Sequence, residues 1–209
     1  MKRTGKTPRF KRQRRLMVEL PGMGKAGALE RKPYPPGEHG QKRKKFSEFG
    51  LQLEEKQKVL YHYGLRESQL RRMIGVAKRK ADINWVDTMI NLLEKRIDNV
   101  VFRLGFASSI PAAKQIVNHG KVLVNGKKVT IRSAVLKKGD SITLTTAGYK
   151  GQTYLMAKEA PRLPLPDYLR KEMHNDVEVG IIADEPGPGD FPVPFDQGLF
   201  TSFYNLRGG

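Results

Sequence analysis

Two stretches near the middle of the chain carry apolar residues at helical spacing. Residues 47–64 and 66–81 each place apolar side chains on one side of a helix, and the second puts its arginines and lysines off that side. Ser47 is suited to cap the first helix and Gly64 to end it. The pattern predicts two consecutive amphipathic helices.

A longer apolar stripe follows, and then a short one. Apolar residues recur every three or four positions from Val86 to Leu104, which predicts one helix that Gly105 ends. Ser109 is suited to cap a second helix that runs through His119.

After the short helix the apolar period becomes strand-like. Two runs rich in valine flank Asn125-Gly126, the strongest short signal for a hairpin turn. A third strand is predicted at 141–145, and residues 177–182 have the composition of another. Residues 93–146 are therefore predicted to form two helices packed on a small antiparallel sheet.

Proline and glycine interrupt the first 45 residues too often for a long helix. This pattern predicts an extended basic segment, which is either a disordered tail or an arm that folds against an RNA backbone. The net charge of +11 over residues 1–50 favours the arm.

The net charge limits the classes of partner that the protein is expected to bind. The chain has 39 Lys and Arg against 21 Asp and Glu, a net charge of +18, and a pI near 10.1. Residues 51–171 carry +13, whereas residues 172–209 carry −6. Such an excess favours a polyanionic partner, either nucleic acid or an anionic membrane surface.

Several kinds of site are disfavoured. The chain has no cysteine, and its four histidines have no ligand-like spacing, so no metal site or cofactor is predicted. The stretch Gly22-Met23-Gly24-Lys25 lacks the first glycine and the final Ser/Thr of a phosphate-binding loop. No catalytic motif and no apolar run long enough to span a bilayer is present, so a cytoplasmic, non-enzymatic protein is expected.

The predicted helix–helix–hairpin carries many polar and basic residues and almost no acidic ones. Between residues 95 and 139 the only acidic residue is Asp98, which is expected either to pair with a neighbouring arginine or to cap the next element. Arg96 and Arg103 are seven positions apart, so they are expected to share an exposed face of the long helix. A solvated surface normally mixes both signs, and the asymmetry favours RNA binding. The candidate contacts are Arg96, Arg103, Ser109, Lys114, Gln115, Asn118, His119, Lys121, Asn125, Lys127 and Lys128.

The same region resembles a known module. The motifs Arg96–Phe106, Ala113–Gly120, Val124–Gly126 and Gly139-Asp140 resemble the RNA-binding module named after small-subunit ribosomal protein four. That module also occurs in tyrosyl-tRNA synthetases, pseudouridine synthases and heat-shock RNA-binding proteins, so by itself it implies only structured RNA.

Motifs before the module resemble the ribosomal protein family itself. These are Pro35–Gln41, Ser47–Leu53 and Glu55–Lys58, which the other families with this module do not have. The chain is identified by resemblance as a bacterial-type member without the N-terminal zinc-binding cysteines of many relatives. The last fifty residues match poorly, and the acidic segment 183–196 has no assigned role.

The resemblance implies a primary binder of 16S rRNA that docks on a helix junction of the 5′ domain and nucleates its assembly. It implies a place near the mRNA entry channel, beside ribosomal protein five, with an effect on translational accuracy. The basic loop of the family maps onto Lys42, Arg43, Lys44 and Lys45. The remaining candidate RNA contacts are Arg12, Arg14 and Arg15 in the arm and Lys58, Arg71 and Arg72 in the helices.

The expected fold class is α+β. Residues 1–45 form the arm and residues 46–92 a mainly helical domain, on which residues 160–209 return to pack. Residues 93–159 form the inserted module of two helices and a β-hairpin sheet.

Two other functions are disfavoured. An RNA-modifying enzyme would need a catalytic domain of a couple of hundred residues, but the remaining segments are helical or rich in Pro and Gly. A membrane-surface protein would need an amphipathic helix with aromatic residues opposite lysines. The single tryptophan, Trp85, instead begins a helix whose apolar stripe suits a core. We therefore expect neither a membrane nor a small-molecule substrate.

Overall fold

The computed structural model describes residues 8–42, 45–81, 83–175 and 177–205. Within these residues the fold is α+β, as predicted, with ten α-helices and one antiparallel sheet of five strands. The helices are α1 Arg9–Leu16, α2 Ala28–Arg31, α3 Glu48–His62, α4 Glu67–Lys80, α5 Trp85–Glu94, α6 Ile97–Arg103, α7 Ile110–Asn118, α8 Thr146–Tyr149, α9 Gln152–Glu159 and α10 Gln197–Asn205. The strands are β1 Val122–Val124, β2 Lys127–Val129, β3 Ser141–Leu144, β4 Leu169–His174 and β5 Val177–Ile182.

The N-terminal residues differ from the expected extended arm. Residues 8–42 contain α1, α2 and a 3-10 turn at Pro21–Met23. Leu16, Leu20 and Met23 are buried in the core that the whole chain shares. These three apolar residues hold the segment against the helices, and the proline and glycine between them shape its turns instead of keeping it extended.

The long helix predicted from Val86 to Leu104 is two helices, α5 and α6. The break falls at Lys95-Arg96, where the connection from β2 to β3 approaches the backbone. Leu136 N donates to Lys95 O at 2.9 Å, and Ile97 N donates to Ala134 O at 2.9 Å. These hydrogen bonds to the β2–β3 connection replace hydrogen bonds within a helix. The apolar stripe nevertheless continues, because the apolar residues of α6 keep the helical spacing of α5.

The hairpin and the three predicted strands are confirmed. Asn125 and Gly126 both have positive φ, at 50° and 75°, as a two-residue turn between twisted strands requires. The strand order is β2-β1-β3-β5-β4. β5 pairs with β3 and so covers an edge that would otherwise be open. The sequence did not indicate β4, whose residues after Leu169 are all exposed and show no alternation.

The C-terminal segment therefore contributes to two regions. Its first part, β4 and β5, extends the sheet, which was not expected. Its second part packs on the helices: Phe200 lies against Trp85 of α5, with ring centroids 5.9 Å apart, and Phe203 stacks on Phe49 of α3 at 5.9 Å. Asp196 N also donates to the Glu55 carboxylate of α3 at 3.1 Å.

Gly22 tests the packing of the N-terminal segment. A Cβ at this position would lie 2.4 Å from the carbonyl oxygen of His62 and 2.8 Å from Ile110 Cδ1. Gly22→Ala should therefore lower the free energy of unfolding by roughly 1–3 kcal/mol, the usual range for overpacking. Urea denaturation measures this change.

Gly189 provides the matched control. A Cβ there would meet no atom within 4 Å, so Gly189→Ala should change stability by less than about 0.5 kcal/mol. Equal effects of the two substitutions would contradict the close packing of residue 22 against α3.

Candidate nucleic-acid interface

Helix α7 presents polar residues because its opposite side is anchored in the core. Ser109 Oγ accepts a hydrogen bond from Ala112 N at 3.2 Å and caps the helix. Ile110, Ala113, Ile116 and Val117 are buried. As a result, Gln115, Asn118 and His119 are exposed, as the sequence predicted.

The hairpin brings lysines next to the end of α7. Lys127 and Lys128 are exposed on β2, opposite Val124 and Leu123. The Lys128 side chain passes over Gly120, since its Cε lies 2.1 Å from where a Cβ at residue 120 would be. Lys128 therefore borders the end of α7, whereas Lys127 projects to the other side of β2, because neighbouring side chains of a strand alternate. Together these exposed residues form a basic surface around the helix end and the hairpin. We call it the module face, and its members are Gln115, Asn118, His119, Lys121, Lys127 and Lys128.

Asn125 has a structural role in the turn. Its Nδ2 donates to Asp140 Oδ1 at 2.8 Å, and its Oδ1 accepts from Ser141 N at 2.9 Å. These bonds fix the turn against the start of β3. Ser109 likewise uses its hydroxyl within the fold and is buried, whereas Asn125 is exposed. RNA contact by these two side chains stays a prediction.

Arg96 is buried, in contrast to the exposed position expected for it. Its relative exposure is 5%, and Asp98 is 1% exposed. The guanidinium holds both carboxylate oxygens of Asp98, from Nε at 3.0 Å and from Nη2 at 2.8 Å. The predicted pairing of Asp98 with a neighbouring arginine is confirmed, and that pair uses the donors of Arg96.

Arg103 is also buried, at 6% exposure, beside the fully buried Glu94. Its Nε lies 3.3 Å from Glu94 Oε2, and its Nη2 donates to Asp190 O at 2.6 Å. Burial opposes the charge of Arg103, but the Glu94 carboxylate together with Tyr168 and Tyr63 outweighs burial, so the pKa of Arg103 is raised. The expectation that Arg96 and Arg103 share an exposed face is wrong, because other segments cover that face.

Glu94 receives further hydrogen bonds from tyrosines. Tyr168 Oη donates to it at 2.7 Å, and Tyr63 Oη donates to its other oxygen. Burial, followed by the nearby carboxylate, raises the pKa of both tyrosines. Asn99 Nδ2 adds a bond at 2.8 Å. The group therefore remains a buried ion pair of Glu94 and Arg103 with neutral hydroxyl donors.

Two predicted RNA-binding lysines are held within the protein. Lys114 Nζ donates to Tyr63 O at 2.7 Å and to Gly64 O at 2.8 Å at the end of α3, and lies 3.6 Å from Asp98. Burial lowers the pKa of Lys114, and Asp98 partly offsets that effect. Lys58 pairs with Glu55 at 2.7 Å and donates to Pro194 O at 3.0 Å.

The N-terminal arginines have mixed positions. Arg14 donates to Tyr34 O at 3.0 Å, and the Arg12 guanidinium lies 4.8 Å from the Tyr61 ring centroid. Arg15 is exposed, as are Lys42 and Lys45. The predicted contacts Arg43 and Lys44 lie outside the described residues.

Helix α4 carries the largest group of exposed cations. Arg71 and Arg72, both predicted contacts, are exposed, and Arg71 pairs with Glu67 at 3.2 Å. Lys78, Arg79 and Lys80 are exposed on the same helix, off its apolar side as predicted, but they were not among the predicted RNA contacts. The spacing of seven between Arg71 and Lys78 and between Arg72 and Arg79 is the signal that could have grouped these residues.

The acidic segment contacts cations of the same chain. Asp184 pairs with Lys138 at 2.8 Å, and Glu185 pairs with Lys95 at 2.5 Å. Glu178 lies 3.4 Å from Lys158. Part of the negative charge of the C-terminal segment is therefore neutralised by ion pairs within the protein, near the sheet and the end of α5.

Two negative observations concern the described residues. Residues 8–42, 45–81, 83–175 and 177–205 contain no group of three His, Asp or Glu side chains placed to hold a metal ion. Within the same part of the chain, every helix is too short or too polar to cross a membrane.

The fold and the basic module face are typical of RNA-binding proteins, and comparisons with known proteins agree. Residues 95–142 match the family model described as "S4 domain", and residues 3–94 match "Ribosomal protein S4/S9 N-terminal domain". The chain is 63% identical to small ribosomal subunit protein uS4B of Bdellovibrio bacteriovorus, over the full length of both proteins. It is 45% identical to uS4 of Crocosphaera subtropica, over 96% of each chain. The chain therefore belongs to the uS4 family of ribosomal proteins, which are not enzymes.

His62 provides a pH test of the interior. It is fully buried, its Nδ1 accepts from Gly22 N at 3.3 Å, and burial, aided by the Arg103 charge, lowers its pKa to about 3. The unfolded chain binds this proton near pH 6.5, so stability is lost as the pH falls from 6.5 towards 3. Between pH 7.5 and 5, the wild type should lose about 2 kcal/mol more than His62→Gln.

Urea unfolding at both pH values measures the difference. His119→Gln is the matched control, because His119 is exposed, and it should keep the full pH dependence of the wild type. The same pH dependence in His62→Gln and in the wild type would show that His62 is not held neutral.

Proposed function

We propose that this chain is a structural constituent of the small ribosomal subunit, in the cytoplasm, and a primary binder of 16S rRNA. In this proposal it docks on a helix junction of the 5′ domain and nucleates assembly of that domain. It lies beside ribosomal protein five near the mRNA entry channel, where it affects translational accuracy. Membership in the uS4 family supports the ribosomal role, and the module face is the observation that carries the RNA contact.

The recognition mechanism follows from the shape of RNA. The major groove of A-form RNA is deep and narrow, so proteins bind its phosphates, its 2′-hydroxyls and its irregular junctions. The module face offers lysines for phosphates and the polar side chains of Gln115, Asn118 and His119 for hydroxyls and base edges. Each phosphate that a lysine neutralises releases counterions, so many such contacts together give high affinity.

The rigid fold also contributes. Arg96, Arg103 and Lys114 do not bind RNA in this proposal. Arg96 pairs with Asp98, Arg103 pairs with Glu94 of α5, and Lys114 holds α7 to the end of α3. The module face is thereby presented in a fixed orientation relative to α3. A junction of several RNA helices is bound best by surfaces whose relative positions are fixed before binding.

The test is filter binding to a 16S rRNA 5′-domain fragment across salt concentrations, with tRNA as competitor. We expect nanomolar binding that survives the competitor, and a steep decrease of affinity with salt. In the Lys127→Ala/Lys128→Ala variant the slope of log affinity against log salt should fall by up to about 2, because two phosphate contacts are lost.

Lys138→Ala/Lys158→Ala is the matched control. It removes the same charge, but Lys138 pairs with Asp184 and Lys158 with Glu178, so the slope should be unchanged. Equal changes in both variants would show that only net charge matters. Complete competition by tRNA would contradict the specific rRNA contact.

A further inference from the structure

Helix α4 contains a glycine that its own packing does not require. Gly75 is partly exposed in the middle of the helix and lacks the positive φ that would favour glycine. A Cβ there would meet only Arg79 Nη1, at 3.9 Å, which is ordinary contact. Glycine inside a helix is less stable than alanine, so the missing side chain carries a cost that no contact of the described residues explains.

Four cations surround this position. Arg71 and Arg72 precede Gly75 by four and three residues, and Lys78 and Arg79 follow it by three and four, so all four are its neighbours on the helix surface. All four are exposed. The preceding and following pairs are seven residues apart, which is about 10.5 Å along the axis.

These cations are largely available to a partner. The side chains of Arg72 and Arg79 form no hydrogen bond or ion pair with any residue that the structure describes. Arg71 pairs with Glu67, but both side chains are exposed, at 49% and 37%. The Lys78 ammonium lies over the Trp85 ring at 5.3 Å from the centroid. Solvent-exposed contacts of this kind are weak and exchange readily.

We propose that Gly75 and these four cations form a seat for an RNA backbone. The strand crosses α4 at Gly75, where the absent side chain lets it approach the helix closely, and its phosphates bind the cations on either side. Arginine suits this role because its planar fork donates two hydrogen bonds to one phosphate. The inference rests on the proposed function and adds a second RNA contact to the module face.

A protein partner fits the seat less well. Protein interfaces depend on apolar and aromatic anchors at their centre. The four side chains around Gly75 are all charged, and Gly75 itself offers no anchor.

The experiment compares Gly75→Ala and Gly75→Gln with the wild-type full chain. Neither substitution changes the net charge, and both residues favour helix, so the melting temperature should rise by about 2–4 °C. In filter binding to the 16S rRNA 5′-domain fragment, Gly75→Gln should lose at least about tenfold in affinity and Gly75→Ala less. A role of Gly75 in folding would instead lower the melting temperature.

Gly198→Gln is the matched control, since Gly198 is exposed in α10. A Cβ added there would meet, among the described residues, only Asp196 Oδ1, at 3.2 Å. Its RNA affinity should equal that of the wild type. Unchanged affinity in Gly75→Gln, equal loss in Gly198→Gln or a lower melting temperature in Gly75→Ala would overturn the seat. If the wild type still binds the rRNA fragment in those cases, the proposed function stands without the seat. If the wild type does not bind it, the proposed function and the seat both fail.

An acidic partner is tested in the same way. Poly-glutamate that binds the wild type but not Gly75→Gln, with RNA affinity unchanged, would identify an acidic protein segment as the occupant and overturn the RNA seat.

Discussion

The buried carboxylate of Glu94 joins three parts of the chain. Tyr63 reaches it from the end of α3, Arg103 from α6 and Tyr168 from the segment before β4. A buried charge is costly unless it is paired and hydrogen-bonded, and each of these groups meets part of that requirement. Because the partners come from separate segments, the carboxylate is satisfied only when helices, module and C-terminal segment are assembled together.

This arrangement determines which cations remain for RNA. Arg103 is used inside the protein by Glu94, and Arg96 and Lys114 by Asp98 and the end of α3. The acidic segment occupies Lys95 and Lys138 on another side. The exposed cations that remain lie mainly on the module face, on α4 and near the N-terminus. The positive charge is thus concentrated in these regions of the surface and is not spread evenly over it.

Local signals in the sequence were sufficient for the hairpin and for α7. The turn at Asn125-Gly126 depends only on its own backbone, and Ser109 caps its own helix. The burial of Arg103 could not be predicted in this way, because seven-residue spacing shows that two residues share a face but not what covers it. The cover comes from residues far along the chain, such as Asp190. β4 was missed for a similar reason, since pairing with β5 and not alternation makes it a strand.

The most direct test of this account is the free energy of unfolding of Glu94→Gln. The substitution keeps the size of the side chain but leaves Arg103 buried without its counter-charge, so we expect a loss of about 3–5 kcal/mol in urea denaturation. Glu185→Gln, which removes a charge from a pair whose carboxylate is 51% exposed, should lose no more than about 1 kcal/mol. Equally small losses in both variants would contradict the claim that the Glu94 carboxylate holds the three parts of the chain together.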